Sequence, residues 1–304
     1  MAKTRMITAE PGVSFGIWPV SRLMEHPAEE RFTVGRSQRI VAIVKALLDN
    51  PASVLSLGEF AKDLDAAKST LSEDIAVVRE AFSAVRAGVV ETVPGPAGGV
   101  RYLPSRSRED VKTLVSNLCE ALSAPDRILP GEFVYMTDLV FSPAWAGAMG
   151  EVFATRFRSS QAQYVLTVET KGIAVALCTA RCLGVPLAVC RRDSVPTEGP
   201  ALSINFVSGS SRRIQTMSLP KRALARDSRV LIVDDFMKGG GTARGMTELV
   251  SEFGAAVAGI AVLIEMEYPQ KKLVKDYFSL AVLHAVDEGQ RSIDVRPSPK
   301  IDEI

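Results

Sequence analysis

The sequence has few of the residues from which catalytic and metal sites are most often built. Its 304 residues include two histidines, four cysteines and two tryptophans, and aromatic residues make up only 6%. The formal net charge is +1, so the chain as a whole has no excess of positive charge for nucleic acid. No apolar run reaches the ~18 residues of a membrane span, and no apolar signal core follows the first basic residues. We therefore expect a cytoplasmic protein with no membrane partner.

The cysteines are too sparse to predict a metal centre. Cys178 and Cys182 have the C-x3-C spacing that can open a zinc site, but no second closely spaced pair accompanies them. The histidines, His26 and His284, lie far away in sequence. Two thiols four residues apart on an apolar helix are more often buried core residues, so we favour structural cysteines and predict no protein metal site.

What the chain does have is enough apolar sequence for two domains. Apolar residues make up 47% and charged residues 23%, the balance of a globular protein, and two domains of roughly 150 residues are expected at this length. Changes in pattern divide the chain into a low-order extension, a small domain, a large domain and a short tail, at 1–33, 34–105, 106–296 and 297–304.

The small domain has the pattern of a winged helix-turn-helix. Apolar residues recur at helical spacing from Ile40 to Leu48, and Ser56-Leu57-Gly58-Glu59 is a capping box that opens a second helix. A third helix carries apolar residues from Leu71 to Phe82 on one face. Two short apolar runs, 89–93 and 100–103, then flank a Pro- and Gly-rich turn and predict a hairpin.

The exposed polar faces of this domain are a candidate DNA-binding surface. Small, polar or basic residues can approach phosphates and base edges, and the candidates are Arg36, Arg39, Lys68, Ser69, Thr70, Ser72, Arg79, Gly98, Gly99 and Arg101. Glu73 and Asp74 are unfavourable beside phosphates, so we expect them to cap the helix or to face away. A protein-interaction or dimerisation module of the same shape remains an alternative, because residues 31–105 hold nine basic and eight acidic side chains.

The large domain alternates strands and helices after a connecting helix at 106–126. The expected strands are 164–168, 186–190, 201–207, 215–219, 230–233, 257–264 and 280–286. This alternation predicts an α/β fold with a mainly parallel sheet. Ligands of such sheets bind at the carboxyl ends of the strands.

One segment at such a strand end carries a specific chemical signal. The apolar run 230–233 leads directly into Asp234, Asp235, Phe236, Met237, Lys238, Gly239, Gly240, Gly241 and Thr242. Two adjacent carboxylates can hold a sugar diol, and a glycine-rich turn before a helix lets backbone N–H groups converge on a phosphate. The order of residues matches neither a Walker loop nor a dinucleotide-binding turn. We predict a phosphate-sugar site.

This segment resembles the phosphoribosyl-pyrophosphate (PRPP) motif of the type I phosphoribosyltransferases. The resemblance implies that the acids hold the ribose hydroxyls and that the Gly-rich loop cradles the 5′-phosphate. Thr170-Lys171-Gly172 resembles the pyrophosphate loop of that family, and Arg191-Arg192 its basic dipeptide before a flexible loop. Tyr135 and Phe133 could stack on a nucleobase, although both could equally be core residues.

With a winged helix in front, the chain resembles the purine operon repressors of Gram-positive bacteria over about residues 34–286. The strings that carry the resemblance are 67–74, 92–100, 127–131, 195–199, 205–211, 213–219 and Asp-Asp-Phe-Met-Lys at 234–238. The departures are the N-terminal extension and Gly239, where the family leads us to expect alanine.

The resemblance implies a homodimeric, DNA-binding repressor of purine synthesis and transport genes. PRPP would be the inducer that releases operator DNA, and guanosine tetraphosphate (ppGpp) would compete for the same pocket. No catalytic residue and no required cofactor are expected. Whether Mg²⁺ accompanies PRPP stays open, because Mg²⁺ usually travels with phosphates and takes few protein ligands.

Two other hypotheses compete with the repressor. An active purine phosphoribosyltransferase with an accessory domain would need a loop that closes over the reaction. The segment 193–216 could close, but no obvious catalytic acid or base lies in it. An interaction scaffold would explain neither the paired acids nor the glycine loop. Either the 208–213 loop or the 106–126 helix could couple the two domains.

Overall fold

A computed structural model describes residues 34–96, 98–192, 199–207 and 214–304. The chain divides into two compact units. The described part of the first comprises residues 34–85 and 89–103, and the second comprises 86–88 and everything described from Pro104 onward. This division lies two residues before the expected boundary. Within the described ranges no helix is both long and apolar enough to cross a membrane.

The described part of the first unit contains three helices and a small antiparallel sheet. In chain order its elements are α1 (Arg36–Asp49), β1 (Val54–Ser56), α2 (Leu57–Asp63), α3 (Lys68–Ala84), β2 (Val89–Val93) and β3 (Gly99–Leu103). The strands are ordered β1-β3-β2. The predicted hairpin is confirmed, and β1, which the sequence did not indicate, adds a third strand.

Apolar side chains from all three helices fill the core of this unit. Ile43, Leu47, Phe60 and Leu71 are almost fully buried, and the hairpin covers them with Val90, Val100 and Tyr102. Ser56 begins α2 as predicted, because its hydroxyl accepts a hydrogen bond from the Gly58 N–H at 3.1 Å. The winged helix-turn-helix predicted from periodicity is therefore the observed architecture.

The second unit is built around one six-stranded sheet with helices on its faces. Its helices are α4 (Arg108–Leu122), α5 (Thr137–Val140), α6 (Pro143–Phe157), α7 (Gly172–Leu183) and α8 (Gly241–Glu252). Its strands are β4 (Ile128–Leu129), β5 (Phe133–Val134), β6 (Tyr164–Val168), β7 (Leu187–Cys190), β8 (Ala201–Val207), β9 (Ile214–Pro220), β10 (Arg229–Met237), β11 (Ala256–Met266), β12 (Tyr277–Asp287) and β13 (Ser292–Pro297).

The main sheet is parallel except at one edge, as predicted. Its order is β13-β12-β11-β10-β6-β7, and only β13 runs antiparallel to its neighbour. Residues that alternate along β10 face two cores: Leu231 and Val233 pack with α4 to α7, and Val230 and Ile232 pack with α8 and the β8–β9 hairpin. Because a central parallel strand is covered on both faces, it reads as a continuous apolar run.

The C-terminal residues are part of this unit, although we expected a tail at 297–304. A 3-10 helical turn at Pro299–Glu303 buries Ile301 in the larger core. Lys300 contacts Glu265 at 3.1 Å, and Asp302 contacts Lys112 of α4 at 2.9 Å. Together with a further ion pair between Glu303 and Arg156 of α6 at 2.9 Å, these contacts hold the end of the chain against the sheet, α4 and α6.

Candidate functional site

The two acids lie at the carboxyl end of β10, in the centre of the parallel sheet. Asp234 is buried, and its Oδ1 accepts a hydrogen bond from the Asp235 N–H at 2.9 Å. Burial, followed by the neighbouring charge of Asp235, raises the pKa of Asp234 well above its usual range. A raised pKa favours the protonated carboxyl, which can donate a hydrogen bond as well as accept one.

The glycine-rich loop turns directly from β10 into α8. A cavity of about 60 Å³ is lined by Asp234 and by residues 236–243. Gly240 has φ +81°, a left-handed conformation that favours glycine. It immediately precedes the first residue of α8, Gly241. The unpaired N–H groups of this helix end form the kind of site in which a phosphate is stabilised.

The loop after β6 reaches the same point of the sheet. Thr170 and Lys171 are exposed, and Gly172 begins α7. A Cβ at Gly172 would lie 2.5 Å from the Thr167 Oγ1 and 3.3 Å from the Asp234 Oδ1. Only a glycine lets this loop approach the buried acid so closely. The predicted pyrophosphate loop and the predicted ribose acids are thus brought together.

Arg191 and Arg192 stand at the end of β7, the strand next to β6. The Arg192 N–H donates to the Glu169 Oε1 at 2.8 Å, and the Arg191 Nη1 lies 3.9 Å from the Glu169 Oε2. The Arg191 backbone also pairs with Ser218 of β9. Glu169 therefore ties the ends of two neighbouring strands together. Sequence reasoning missed Glu169, although it immediately precedes the predicted loop.

Tyr135 is not brought into the cavity by any of these elements. This residue is 42% exposed, its N–H donates to the Arg127 carbonyl, and Arg127 Nη1 donates to the Tyr135 carbonyl. Phe133, in β5, is 65% exposed and is therefore not a core residue. A stacking role for either aromatic ring stays a prediction. Of the segment 193–216 that could close over the site, residues 201–207 form β8 and 214–216 begin β9, and 193–198 and 208–213 lie outside the described residues.

The predicted DNA-binding residues fall into two groups, and the first is exposed on α3. Lys68, Ser69 and Ser72 are exposed in its first turns, and Thr70 is half-buried. The Ser72 hydroxyl donates to the Lys68 carbonyl at 2.9 Å. These positions can approach a duplex, because a recognition helix contacts base edges with its N-terminal residues.

The second group consists of arginines that bind inside the unit. Arg36 and Arg39 each donate through Nε to the buried carboxylate of Asp74, at 3.1 and 2.8 Å. Arg79 donates to the Val90 carbonyl and to the Thr92 hydroxyl of β2. Arg101 pairs with Glu91 across the hairpin.

Asp74 faces away from the exposed side of α3, as expected, because it is 1% exposed and pairs with α1. The wing glycines have a role in the sheet. A Cβ at Gly99 would lie 2.0 Å from the Leu55 carbonyl oxygen, so the absence of a side chain there permits β1 to pair with β3. The Gly98 N–H donates to the Gly95 carbonyl at 2.9 Å.

The cysteines lie in the cores of the second unit. Burial raises the pKa of the Cys182 thiol to about 12, and Cys119, Cys182 and Cys190 are buried. A Cβ at Gly150 would lie 2.6 Å from the Cys178 Cβ, so α6 and α7 pack closely there. Across the described ranges, no group of three or more His, Cys, Asp or Glu side chains is placed to hold a metal ion.

Comparison with known proteins identifies both units. Residues 35–104 match the family model described as the N-terminal domain of the bacterial purine repressor, and residues 141–290 match the phosphoribosyl transferase domain. The chain is 43% identical over 261 residues to the purine biosynthesis transcriptional repressor PurR of Bacillus subtilis, an alignment that covers 86% of this chain and 92% of that protein.

Two further relatives differ in how much of the chain they match. The chain is 40% identical to the purine biosynthesis transcriptional activator PurR of Lactococcus lactis, over 86% of this chain and 96% of that protein. It is 31% identical to the xanthine phosphoribosyltransferase of Deinococcus deserti, over 50% of this chain and 80% of that enzyme. The winged helix and the phosphoribosyltransferase fold predicted from sequence are confirmed.

Proposed function

This chain belongs to the PurR family of purine biosynthesis transcriptional regulators, and we propose that it is a repressor that PRPP releases from operator DNA. The observation that carries the proposal is the convergence of two phosphate loops on one pair of acids. Gly172 and Asp234 meet at the carboxyl edge of the sheet, and the N-terminus of α8 begins six residues after Asp235. PRPP, with a phosphate on one side of its ribose and a pyrophosphate on the other, has the charge distribution for such a site.

Each arm of the ligand has its own group of donors. The N–H groups at 239–242 would bind the 5′-phosphate, together with the helix dipole of α8. Lys171, the N–H of Gly172 and the Arg191-Arg192 pair would bind the pyrophosphate, since each phosphate group requires its own cation or donor. Asp234 and Asp235 would bind the ribose hydroxyls. Mg²⁺ would enter with the pyrophosphate and keep most of its ligands as water and phosphate oxygens.

Asp234 suits a sugar hydroxyl better than a phosphate, because it is buried next to a second carboxyl group. The charge of Asp235 would repel a phosphate placed at this position. A hydroxyl can accept a hydrogen bond from the protonated form. We therefore propose that the ribose lies between the two phosphate loops.

We propose that ppGpp occupies the same site and favours the DNA-bound form. It carries pyrophosphate groups on a ribose, so the same two loops can receive it. An effector shifts the protein only through different affinities for the two states. PRPP must therefore prefer the DNA-free state and ppGpp the DNA-bound state.

We propose that a homodimer binds the operator through Lys68, Ser69, Thr70 and Ser72 of α3. A dimer matches the paired half-sites that helix-turn-helix proteins read. The direction of control is part of the proposal, because close relatives include both a repressor and an activator by name. Deleting the gene should raise transcription of the purine genes, and a fall would make this chain an activator.

The alternative function is an active purine phosphoribosyltransferase. The phosphoribosyl transferase match over residues 141–290 favours it, and the site has the donors to bind its phosphoribosyl substrate. Repression requires no turnover, and we propose that the fold is used for sensing. Steady release of pyrophosphate from PRPP with adenine, guanine, hypoxanthine or xanthine would overturn that part of the proposal.

The direct test is a gel shift at fixed salt with DNA from upstream of the purine synthesis genes. The wild-type protein should bind this DNA and release it when PRPP is added. Asp235→Ala should bind the same DNA and ignore PRPP, because the ribose loses a partner. Release of DNA from the variant at wild-type PRPP concentrations would show that the site assignment is wrong.

A further inference from the structure

A segment between β11 and β12 packs against the glycine-rich loop from behind. We call residues 267–276 the strap. Within it the Lys272 ammonium donates to the Lys238 carbonyl at 2.8 Å and to the Met266 carbonyl at 2.5 Å, with a longer contact of 3.5 Å to Glu267. The N–H of Leu273 donates to the Gly239 carbonyl at 2.9 Å. Two successive carbonyls of the loop are therefore bound by two successive residues of the strap.

These two bonds fix the direction of the amides that matter for a ligand. In a trans peptide the C=O and the N–H point in opposite directions. The peptide units that follow Lys238 and Gly239 are trans, since the only cis bonds in the described parts of the chain are Glu169-Thr170 and Tyr268-Pro269. With the carbonyls of Lys238 and Gly239 turned toward the strap, the N–H groups of Gly239 and Gly240 point away from it.

The strap also packs so closely against the glycine-rich loop that the peptide between Gly239 and Gly240 has little room to rotate. A Cβ at Gly240 would lie 3.2 Å from the Leu273 nitrogen and 3.4 Å from a methyl group of Val274. The left-handed φ of Gly240 places its backbone against the strap. If the peptide between Gly239 and Gly240 flipped, the Gly240 N–H would face the Leu273 N–H. Two donors would then face one another at close range, which is unfavourable.

Lys272 is held in an environment suited to carbonyl binding. It is half-buried, and desolvation lowers the pKa of its ammonium, while the nearby Glu265 carboxylate acts in the opposite direction and Lys300 in the same direction. Glu265 is itself bound by Ser279, Tyr277 and Lys300. The donors of Lys272 are therefore directed to backbone carbonyls, and an ammonium can serve several at once because it carries three.

We propose that Lys272 is a positioning residue of the effector site, which orients the N–H groups of Gly239 and Gly240 toward the 5′-phosphate without touching the ligand. The inference rests on the proposed function in that the ligand is PRPP. It adds a residue that lies 30 positions beyond Thr242 and belongs to no phosphate-binding motif. It also predicts that only one of the two phosphate arms depends on Lys272.

The experiment measures the two arms separately, by calorimetry on the full-length protein. Ribose 5-phosphate is the probe of the glycine-rich loop, and inorganic pyrophosphate is the probe of the Lys171 loop. Lys272→Met keeps the length of the side chain and removes its donors. Lys272→Arg keeps charge and donors, and Lys275→Met changes an exposed lysine of the same strap. Thermal unfolding of each variant checks that the unit is folded.

We expect Lys272→Met to weaken ribose 5-phosphate and PRPP by about tenfold or more, because hydrogen bonds to a charged phosphate depend on amide direction. Pyrophosphate should change by less than about twofold. Lys272→Arg should recover most of the affinity, and Lys275→Met should match the wild type.

Two outcomes would overturn the inference. One is unchanged ribose 5-phosphate affinity in Lys272→Met, and the other is an equal loss for both probes, which would indicate a general structural defect. The proposed function fails by a different result, when PRPP does not release DNA from the wild-type protein. Ribose 5-phosphate tests Lys272 in either case, so the two failures can be told apart.

Discussion

The two units use their charged residues in opposite ways. In the winged-helix unit, which is the first unit, all four arginines expected at DNA are bound within the unit: Arg36 and Arg39 to Asp74, Arg79 to β2, and Arg101 to Glu91. In the second unit, which we call the effector unit because we propose that it binds PRPP, the paired acids and the two predicted phosphate loops lie at the same edge of the sheet. Lys171 and Lys238 remain exposed there, and the Lys238 carbonyl of the glycine-rich loop is bound by Lys272 of the strap.

This difference shows that the type of a residue alone does not tell whether it binds a ligand or stabilises its own domain. A basic residue on a predicted surface helix can stabilise its own domain as readily as it can bind a phosphate. A glycine-rich turn after two adjacent acids is compatible with fewer roles, because glycines cost conformational entropy and are favoured where the backbone must approach a ligand closely. In the winged-helix unit, we therefore expect the first turns of α3, rather than these arginines, to make the main contacts with DNA.

Of the substitutions that test this comparison, one at Asp74 should have the largest effect on stability. Asp74→Ala should destabilise the winged-helix unit by about 3 kcal/mol, because it leaves the mostly buried Arg39 without its partner. Urea unfolding followed by circular dichroism would measure the loss. Glu73→Ala, at an exposed position of the same helix, should change stability by less than about 0.5 kcal/mol. Similar values for both variants would mean that the Asp74 ion pairs contribute little.

A smaller effect is expected where the two phosphate loops meet. Gly172→Ala should weaken PRPP and destabilise the effector unit by about 1–3 kcal/mol, because the added methyl group overlaps Thr167. The matched control is Gly147→Ala in α6, where a Cβ would meet nothing within 4 Å. That variant should be stabilised by up to about 1 kcal/mol. Calorimetry with PRPP and thermal unfolding check both, and tight PRPP binding by Gly172→Ala would contradict the observed approach of the loops.

The buried acid Asp234 predicts that the stability of the effector unit depends on pH. The pKa of Asp234 is raised in the folded protein by burial and by Asp235, so unfolding releases a proton at any pH between the ordinary pKa of an aspartate and this raised pKa. Stability should therefore fall as the pH rises above about 4, the ordinary pKa of an aspartate, until the raised pKa is passed. Asp234→Asn should remove this fall and lose PRPP binding. The free energy of unfolding, measured at several pH values from 4 to 8, tests this prediction. Asp227→Asn, at an exposed site, is the control and should keep the fall in stability. If the stability of Asp234→Asn falls with pH as that of the wild type does, Asp234 is not the cause of the fall.

The smallest effect concerns the first turn of α3. Lys68→Met should weaken binding to specific and nonspecific DNA alike and reduce the slope of log affinity against log salt by about 0.9, the value for one lost phosphate contact. Lys62→Met, at an exposed position in the last turn of α2, should leave the slope unchanged. Anisotropy titrations at several salt concentrations measure both. An unchanged slope in Lys68→Met would remove this lysine from the DNA surface.

Contiguous motifs made most of the fold and much of the site predictable. The strand at Tyr164–Val168 was predicted with its observed bounds, and the helix after it ends at Leu183 as expected. β10 continues through both acids to Met237, because neighbouring β11 pairs with it that far. The predicted acids, glycines and Thr170-Lys171-Gly172 lie at one edge of the sheet, as the parallel topology requires.

The elements that were missed lack a local signal. Helix α6, Pro143–Phe157, is apolar or small on nearly every side because it packs between α7 and the core, so no polar face marks it. β13 is a short edge strand that is positioned only by its partner β12. Lys272 binds a carbonyl 34 residues earlier in the chain, and a contact of that kind depends on tertiary packing rather than on a sequence pattern.

The central claim is that one unit binds DNA, the other binds PRPP, and each affects the other. The most direct measurement is the affinity of PRPP for the protein with and without saturating operator DNA, beside the affinity of DNA with and without saturating PRPP. Linkage requires the two factors to be equal, and we expect DNA to weaken PRPP by the factor by which PRPP weakens DNA. An identical PRPP affinity with and without operator DNA would contradict the account.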